Sequence, residues 1–145
     1  MHTIITHPKE VISQFVALAQ KKPAHEPWGQ YTTLGLVSGR ALVAGVVYNS
    51  FEARNVCAHI GAVPGGHWLT PRFLRAMFDY PFNQMGKRRI TALVARKNKR
   101  ARRFVEKLGF KLEGTLSHYY ERDDMIVYGL LRERCAFLPE VRIAA

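Results

Sequence analysis

Acidic residues are scarce in this sequence. Eleven Asp and Glu stand against twenty-two Lys and Arg, and the formal net charge of the 145 residues is +11 at pH 7. A chain this basic is expected to meet an anionic partner. The charge alone does not choose among a nucleic acid, a phosphorylated cofactor, an acidic protein and a membrane surface.

Metal-binding and disulfide patterns are missing as well. The two cysteines, Cys57 and Cys135, are far apart, and the six histidines form no His-x-x-x-His pattern. We therefore expect no disulfide scaffold, no metal site and a reducing, cytoplasmic environment. The sequence has no apolar run of about 18 residues, and its N-terminus has no basic stretch before an apolar one. Membrane insertion and secretion are not expected.

What is present is the composition of a globular protein. Hydrophobic residues make up 48% of the chain and charged residues 23%. The length and this balance predict one domain over residues 1–145, large enough to bury a core.

Hydrophobic periodicity and turn residues predict ten elements. Pro81 should kink or shorten the second helix, because proline has no backbone N–H to donate. The predicted order is β-α-β-β-β-α-β-α-β-β, which indicates a mixed α/β sheet. The elements are a strand in "HTIIT", a helix at about 8–21, a hairpin around Ser38 and Gly39, a strand at about 55–63, a helix from Thr70, a strand at about 89–97, a helix at about 99–108 and a hairpin around residues 121–124.

The stretch "RKNKRARRFVEKLGF", residues 96–110, opens the last helix with cations. Asn98 is a good N-cap, but the positive end of a helix dipole favours acidic residues in the first turn. One interpretation is that an anion binds at this N-terminus, where backbone N–H groups and arginines would both attract it. The other is a solvated basic face that keeps the protein soluble.

Two motifs carry a family resemblance. The pattern "N-x-x-A-x-x-F-x-x-K-L-G-F-x-x-E-G", Asn98 to Gly114, together with the element order resembles the GNAT superfamily of acyl-CoA-dependent N-acetyltransferases. The pattern "Y-P-F-x-Q-x-G-x-x-R-I", Tyr80 to Ile90, is similar to the branch of ribosomal-protein N-terminal acetyltransferases, and "DYPF" is similar to phage and prophage members. The resemblance covers about residues 32–134. A phage-encoded chain would act in the host cytoplasm.

The resemblance implies a GNAT-like fold whose central parallel strands splay apart and hold acetyl-CoA as cosubstrate, without a metal. Its phosphates would meet the loop at residues 64–69 and the helix N-terminus, and Asn98 would hold the pantetheine arm. Trp68 stands where the usual Gly-x-Gly loop has its second glycine, so Gly65 and Gly66 would have to supply that room one step earlier. The implied cofactor residues are Ile60, Gly61, Ala62, Gly65, Gly66, His67, Trp68, Thr70, Asn98 and Arg103.

The same resemblance implies an oxyanion donor among the backbone N–H groups of residues 60–62. His59 is the predicted general base, because its pKa lies near working pH, and Glu52 is a second candidate. Many members carry a tyrosine acid where this chain has Val105, so Tyr119 is the predicted replacement, with Tyr120 and Ser117 as alternatives. The competing interpretations are structural. His59 would be a hydrogen-bonded residue of the strand, Glu52 a surface carboxylate, and the hairpin tyrosines packing residues.

The resulting prediction is an acetyl-CoA-dependent N-acetyltransferase, in which an amine attacks directly in a ternary complex. The acceptor is expected to be a protein lysine or N-terminus, with a small amine, an acidic target and a nucleic-acid-associated target left open. The alternative function is a nucleic-acid-binding module on the same scaffold, with the cations of residues 96–103 together with Lys87, Arg88 and Arg89 on phosphates and no acetyl transfer. A dimer is left open.

Overall fold

The computed structural model describes residues 2–21, 27–65 and 67–138. The predicted order of elements is confirmed across these residues, with ends that differ from the predicted ones by a few positions. The elements are β1 (His2–Ile5), α1 (Lys9–Ala19), β2 (Tyr31–Ser38), β3 (Ala41–Asn49), β4 (Asn55–Ala62), α2 (Pro71–Asp79), β5 (Arg89–Ala95), α3 (Lys99–Lys107), β6 (Lys111–Tyr120) and β7 (Asp123–Leu131).

The strands form one mixed sheet in the order β1-β2-β3-β4-β5-β7-β6. Its parallel pair, β4 and β5, is joined only from Asn55 opposite Arg89 to Cys57 opposite Thr91. On its other edge β4 stays paired with β3 as far as Ala62. The two parallel strands therefore diverge after Cys57, and the predicted splay is confirmed.

Helices cover the two faces of the sheet unequally. The large core lies under α2 and α3, where Phe73, Phe78 and Phe82 pack against strand residues such as Tyr48. A smaller cluster lies under α1 on the opposite face. Successive strand residues point to opposite faces, so Tyr48 enters the first core and its neighbour Val47 the second.

Helix α1 packs almost directly on the backbone of β4. A Cβ placed on Gly61 would lie 2.8 Å from the Cβ of Ala19 and 3.1 Å from the Cα of Val16. Only a glycine leaves room for this approach. The C-terminal end of α1 is thereby held against the half of β4 that has left β5.

Pro81 ends the second helix as predicted. Helix α2 stops at Asp79, and a π-helical turn, Tyr80–Gln84, follows. This turn is closed by a hydrogen bond from the Met85 N–H to the Tyr80 carbonyl, at 2.9 Å. The wider turn accommodates the missing proline donor and leads the chain toward β5. Within the described residues, no helix is long and apolar enough to span a membrane.

Candidate active site

A cleft of about 500 Å³ opens where β4 and β5 diverge. Its walls come from both strands, from the start of α3, from the loop before α2 and from the end of α1. Apolar side chains make up much of the lining. The lining residues are Leu18, Ala19, Gln20, Lys21, Ala58, Ile60, Gly61, Ala62, Pro64, Trp68, Ala92, Val94, Ala95, Asn98, Arg100, Ala101, Phe104, Val105 and Tyr120.

The edge of β4 that faces this cleft presents backbone donors. The Val63 N–H donates to the Val43 carbonyl of the β3 side, at 2.9 Å. Because peptide groups alternate along a strand, those of Ile60 and Ala62 point to the β5 side. The Ile60 carbonyl indeed accepts a hydrogen bond from the side-chain amide of Gln20, at 3.0 Å. The N–H groups of Ile60 and Ala62 are therefore directed into the cleft, where they can bind a carbonyl or an oxyanion.

The loop before α2 shapes one end of the cleft. Thr70 caps the helix, since its hydroxyl accepts from the Phe73 N–H at 3.2 Å, and the predicted N-cap is confirmed. Gly65 has a φ of +69°, a conformation that favours glycine. His67 is exposed and does not line the cleft, and Gly66 lies outside the described residues. Pro64 and Trp68 of this loop line the cleft, whereas Gly65 and Thr70 do not. Pro71 has no N–H, and the N–H groups of Phe73 and Leu74 are bonded to Thr70, which leaves the N–H of Arg72 in the first turn of α2.

Trp68 both lines the cleft and packs at its end. Its ring lies 5.3 Å from the ring of Phe104 on α3 and 6.2 Å from that of Phe73 on α2, measured between centroids. The indole therefore joins the N-terminal parts of two helices. This position is compatible with covering a cofactor and with filling the junction between the helices.

The first turn of α3 forms the opposite lip. The Ala101 N–H donates to the Asn98 side chain at 3.2 Å, which confirms the predicted N-cap. Asn98 and Arg100 line the cleft. Arg103, the arginine assigned to the cofactor from sequence, is exposed and outside the lining. Its position gives no support to that contact, which stays a prediction, and Arg100 is an arginine that the sequence reasoning missed.

Several other cations of residues 96–103 have structural partners. The Arg96 guanidinium lies 3.5 Å from the Asp123 carboxylate, and the Lys97 N–H donates to the same carboxylate at 2.9 Å. Arg102 Nε donates to the Tyr128 hydroxyl at 3.0 Å, and that hydroxyl donates to the Glu106 carboxylate at 2.5 Å. Burial raises the pKa of Tyr128, against the effect of Arg102, so the phenol stays protonated. These contacts attach α3 and the residues just before it to β7. They do not explain the remaining cations of residues 96–103.

A polar network joins β4 and β5 below the point where they part. The Thr91 hydroxyl donates to the Asn55 side-chain oxygen at 2.7 Å, and Arg89 Nε donates to the same atom at 3.1 Å. Arg89 also forms a two-point salt bridge with Glu113 on β6, the shorter contact being 2.7 Å. The network fixes the base of the opening across three strands.

The predicted base His59 lies on the α1 face of β4, with 8% of its surface exposed. Its Nε2 is 2.9 Å from the side-chain oxygen of Asn49, and its ring centroid is 4.9 Å from that of Trp28. The Asn49 amide in turn donates to the Trp28 carbonyl at 3.1 Å. His59 is not part of the cleft lining. These contacts favour a role in holding the loop around Trp28, and the catalytic role stays a prediction.

The remaining predicted catalytic residues also lie outside the lining. Glu52 is exposed in the loop before β4, where its carboxylate accepts from the Asn55 amide at 3.1 Å. Tyr119 is 57% exposed, whereas its neighbour Tyr120 lines the cleft. The described residues contain no group of three or more His, Cys, Asp or Glu that could hold a metal ion.

Comparisons with known proteins identify the fold. No protein-family model and no curated protein sequence matches the chain. Solved structures, three of which follow, match it over nearly their whole length. A mutant form of the spermidine/spermine N-acetyltransferase SpeG from Vibrio cholerae has 16% identity and a TM-score of 0.71, over 92% of this chain and 96% of that one. The IAA acetyltransferase from Bacillus cereus has 15% identity and a TM-score of 0.76, over 90% and 99%.

The third match is a GNAT-family protein from Desulfovibrio desulfuricans, with 20% identity and a TM-score of 0.69 over 90% of this chain and 98% of that one. Identities this low show a common fold and do not transfer a substrate. The mixed seven-stranded sheet and its helices thus form a fold known from other proteins. The chain has the fold of the GNAT N-acetyltransferases.

Proposed function

We propose that this protein is an acetyl-CoA-dependent N-acetyltransferase in which an acceptor amine attacks the thioester directly in a ternary complex. The observation that carries the proposal is the open edge of β4, which directs the N–H groups of Ile60 and Ala62 into a cleft lined by the loop before α2 and by the start of α3. Such an edge can pair with the amides of an extended ligand. The helix N-termini attract its phosphates.

The residues present fit that cosubstrate, which supplies a thioester carbonyl as the acyl donor. In this proposal the loop at Gly65 and the start of α2 hold phosphate oxygens through the backbone N–H groups that are not already bonded, such as that of Arg72. Asn98 and Arg100, on the opposite lip, add a polar contact and a positive charge. Trp68 closes the end of the cleft against solvent.

The chain's own groups can carry out the transfer. We assign the oxyanion contact to the N–H groups of Ile60 and Ala62, because both face the cleft. Tyr120 is assigned as the proton donor to the leaving thiolate, since it is the hairpin tyrosine that lines the cleft. His59 and Glu52 lie outside the lining, so the amine is proposed to lose its proton to water at the mouth.

The acceptor is proposed to be an amine of a protein. The matched SpeG structure is named for spermidine and spermine, which carry several positive charges. The described lining of this cleft contains no carboxylate, and it includes Lys21 and Arg100. A polyamine, which carries several positive charges, would be repelled there. A single lysine or N-terminal amine of a protein carries one positive charge and does not require several carboxylates in the cleft. A cytoplasmic site of action, in a host if the chain is phage-encoded, belongs to the same proposal.

Calorimetric titration with acetyl-CoA and with CoA tests the cofactor assignment. Arg100→Gln and Arg103→Gln form a matched pair, because both remove one charge from α3 and only Arg100 lines the cleft. A lost charge-assisted contact of about 1.5–3 kcal/mol should weaken binding by Arg100→Gln at least about tenfold. Arg103→Gln should change it less than about twofold. Absence of binding to the unmodified protein, or equal losses in the two variants, would refute the placement.

An acetylation assay tests the acceptor. Radiolabelled acetyl-CoA would be incubated with peptides bearing a lysine or a free N-terminus, and with spermidine at equal concentration. Labelled peptide is the expected product, and Tyr120→Phe should lower kcat more than it raises KM. Labelling of spermidine alone would refute a protein acceptor while leaving the acetyl transfer intact.

A further inference from the structure

Four cations of α3 are left without a structural role. They are Lys99, Arg100, Arg103 and Lys107, which we call the basic face. All four are exposed, and none forms an ion pair with another described residue. At 100° per residue they fall within an arc of about 100°, on the side of the helix away from its buried residues.

This arrangement costs helix stability. Lys99 and Arg100 stand in the first turn, where the helix dipole disfavours positive charge. Lys99, Arg103 and Lys107 follow one another at a spacing of four residues, at which like charges repel by about 0.2–0.5 kcal/mol per pair. Nearby cations such as Arg96 and Arg102 have acceptors within the protein. The basic face has no such acceptor among the described residues, so water or a bound anion must offset its cost.

The proposed cofactor accounts for only one edge of the basic face. Arg100 lines the cleft, whereas Lys99, Arg103 and Lys107 do not. From Lys99 to Lys107 the helix rises by about 12 Å, so the face continues for two turns away from the lip. A ligand that neutralises the whole face must be longer than a single phosphate group.

We propose that the basic face binds the phosphate backbone of a nucleic acid. A line of separate cations matches a polymer that carries one charge per unit. A membrane-surface helix would need its apolar side outward, but the apolar side of α3 packs in the core through Val105 and Leu108. A protein interface has an apolar centre, and none of the exposed large hydrophobic side chains of the described chain belongs to α3.

This inference goes beyond the proposed acetyl transfer and does not depend on it. Gln20, directly after α1, and Tyr120, at the end of β6, line the cleft and do not belong to α3. A nucleic acid bound to the basic face would therefore leave that side of the cleft open. If both activities exist, the basic face would concentrate the enzyme on acceptor proteins that are themselves bound to nucleic acid.

The test is fluorescence anisotropy with a labelled 20-base-pair DNA duplex and a single-stranded RNA of about the same length, from about 50 to 300 mM salt without acetyl-CoA. The variant is Lys99→Gln with Lys107→Gln, which removes two charges outside the cleft. The matched control is Arg54→Gln with Arg75→Gln, two exposed arginines distant from α3 in sequence. Lys99 is unfavourable in the first turn of α3 and Lys107 is favourable in the last, so their removal has opposite effects on helix stability, and thermal melting is expected to show no net loss of stability.

Binding to at least one probe is expected, with log Kd linear in log salt concentration. The Lys99, Lys107 variant should raise Kd at least about tenfold at 100 mM salt and reduce the salt slope by about two, as for two lost phosphate contacts. The control should keep the slope of the unmodified protein. Absence of binding to both probes at 50 mM salt, or equal losses in the variant and the control, would overturn the proposal. Calorimetry with acetyl-CoA on the same variant, where no change is expected, separates this failure from failure of the cofactor assignment.

Discussion

Gly61→Ala is the substitution whose effect is most directly set by the geometry of the site. The added methyl group would lie 2.8 Å from the Cβ of Ala19, and 3.1 and 3.2 Å from the Cα and carbonyl oxygen of Val16. Carbon atoms do not approach this closely, and two of the three atoms belong to the backbone of α1. The helix must therefore move away from β4, because no side-chain rotation relieves the contact.

The size of the effect follows from two opposing contributions. Overpacking of this kind costs about 1–3 kcal/mol. Replacing glycine restricts the unfolded chain, and this offsets about 0.4–1 kcal/mol of the cost. We expect the free energy of unfolding to fall by about 1–2 kcal/mol, which corresponds to about 3–7 °C in Tm for a domain of this size.

Urea unfolding followed by circular dichroism measures this change, with Gly114→Ala as control. A Cβ at Gly114 would have no atom within 4 Å, so that variant should be as stable as the unmodified protein. Movement of α1 would also displace Leu18 and Ala19, which line the cleft, so acetyl-CoA should bind more weakly to Gly61→Ala. A Gly61→Ala protein with unchanged stability would show that α1 is not held against β4 as described.

Three further substitutions test the lips and the base of the cleft. Asn98→Asp keeps the cap and places a negative charge at the positive end of the helix dipole, so we expect Tm to rise slightly while acetyl-CoA affinity falls. Thermal melting measures the first quantity and calorimetry the second, and a rise in both or a fall in both would contradict this expectation. Thr91→Val removes the donor to Asn55 and should cost about 1 kcal/mol in urea unfolding, and an unchanged midpoint would count against the network. Burial opposes ionisation of Asp123, but hydrogen bonds from backbone N–H groups and the charge of Arg96 lower its pKa overall. Its stabilisation is therefore complete above the unfolded pKa near 3.8 and disappears as pH falls through the lowered value, so the stabilities of Asp123→Asn and the unmodified protein should converge in acid.

The order of elements was predictable because local signals dominate it. Thr70 and Asn98 cap their helices as their side chains predict, and Pro81 ends α2. The hydrogen bond between Gln20 and Ile60 joins positions 40 residues apart, and no local pattern marks either residue.

Which of two nearby side chains faces the cleft was harder to predict. Arg100 and Arg103 both fit a generic basic first turn, and only the packing of α3 on the sheet decides which one reaches the cleft. Tyr119 lies within an irregularity in the pairing of β6 with β7, which extends from Leu116 to Tyr120. Such a bulge shifts the alternation of faces, so counting residues along the strand cannot say which tyrosine points inward.

Two side-chain interactions stabilise the splay, one where β4 and β5 are still paired and one where they have separated. Below it, Thr91 and Asn55 bind β5 to β4 through side chains as well as through the sheet. Above it, the side chain of Gln20 bonds the Ile60 carbonyl on the edge that faces β5. A strand edge that had no partner would cost stability or recruit another strand. Because one carbonyl of the edge is satisfied by a movable side chain, the edge can remain open and still exchange that hydrogen bond for one to an amide ligand.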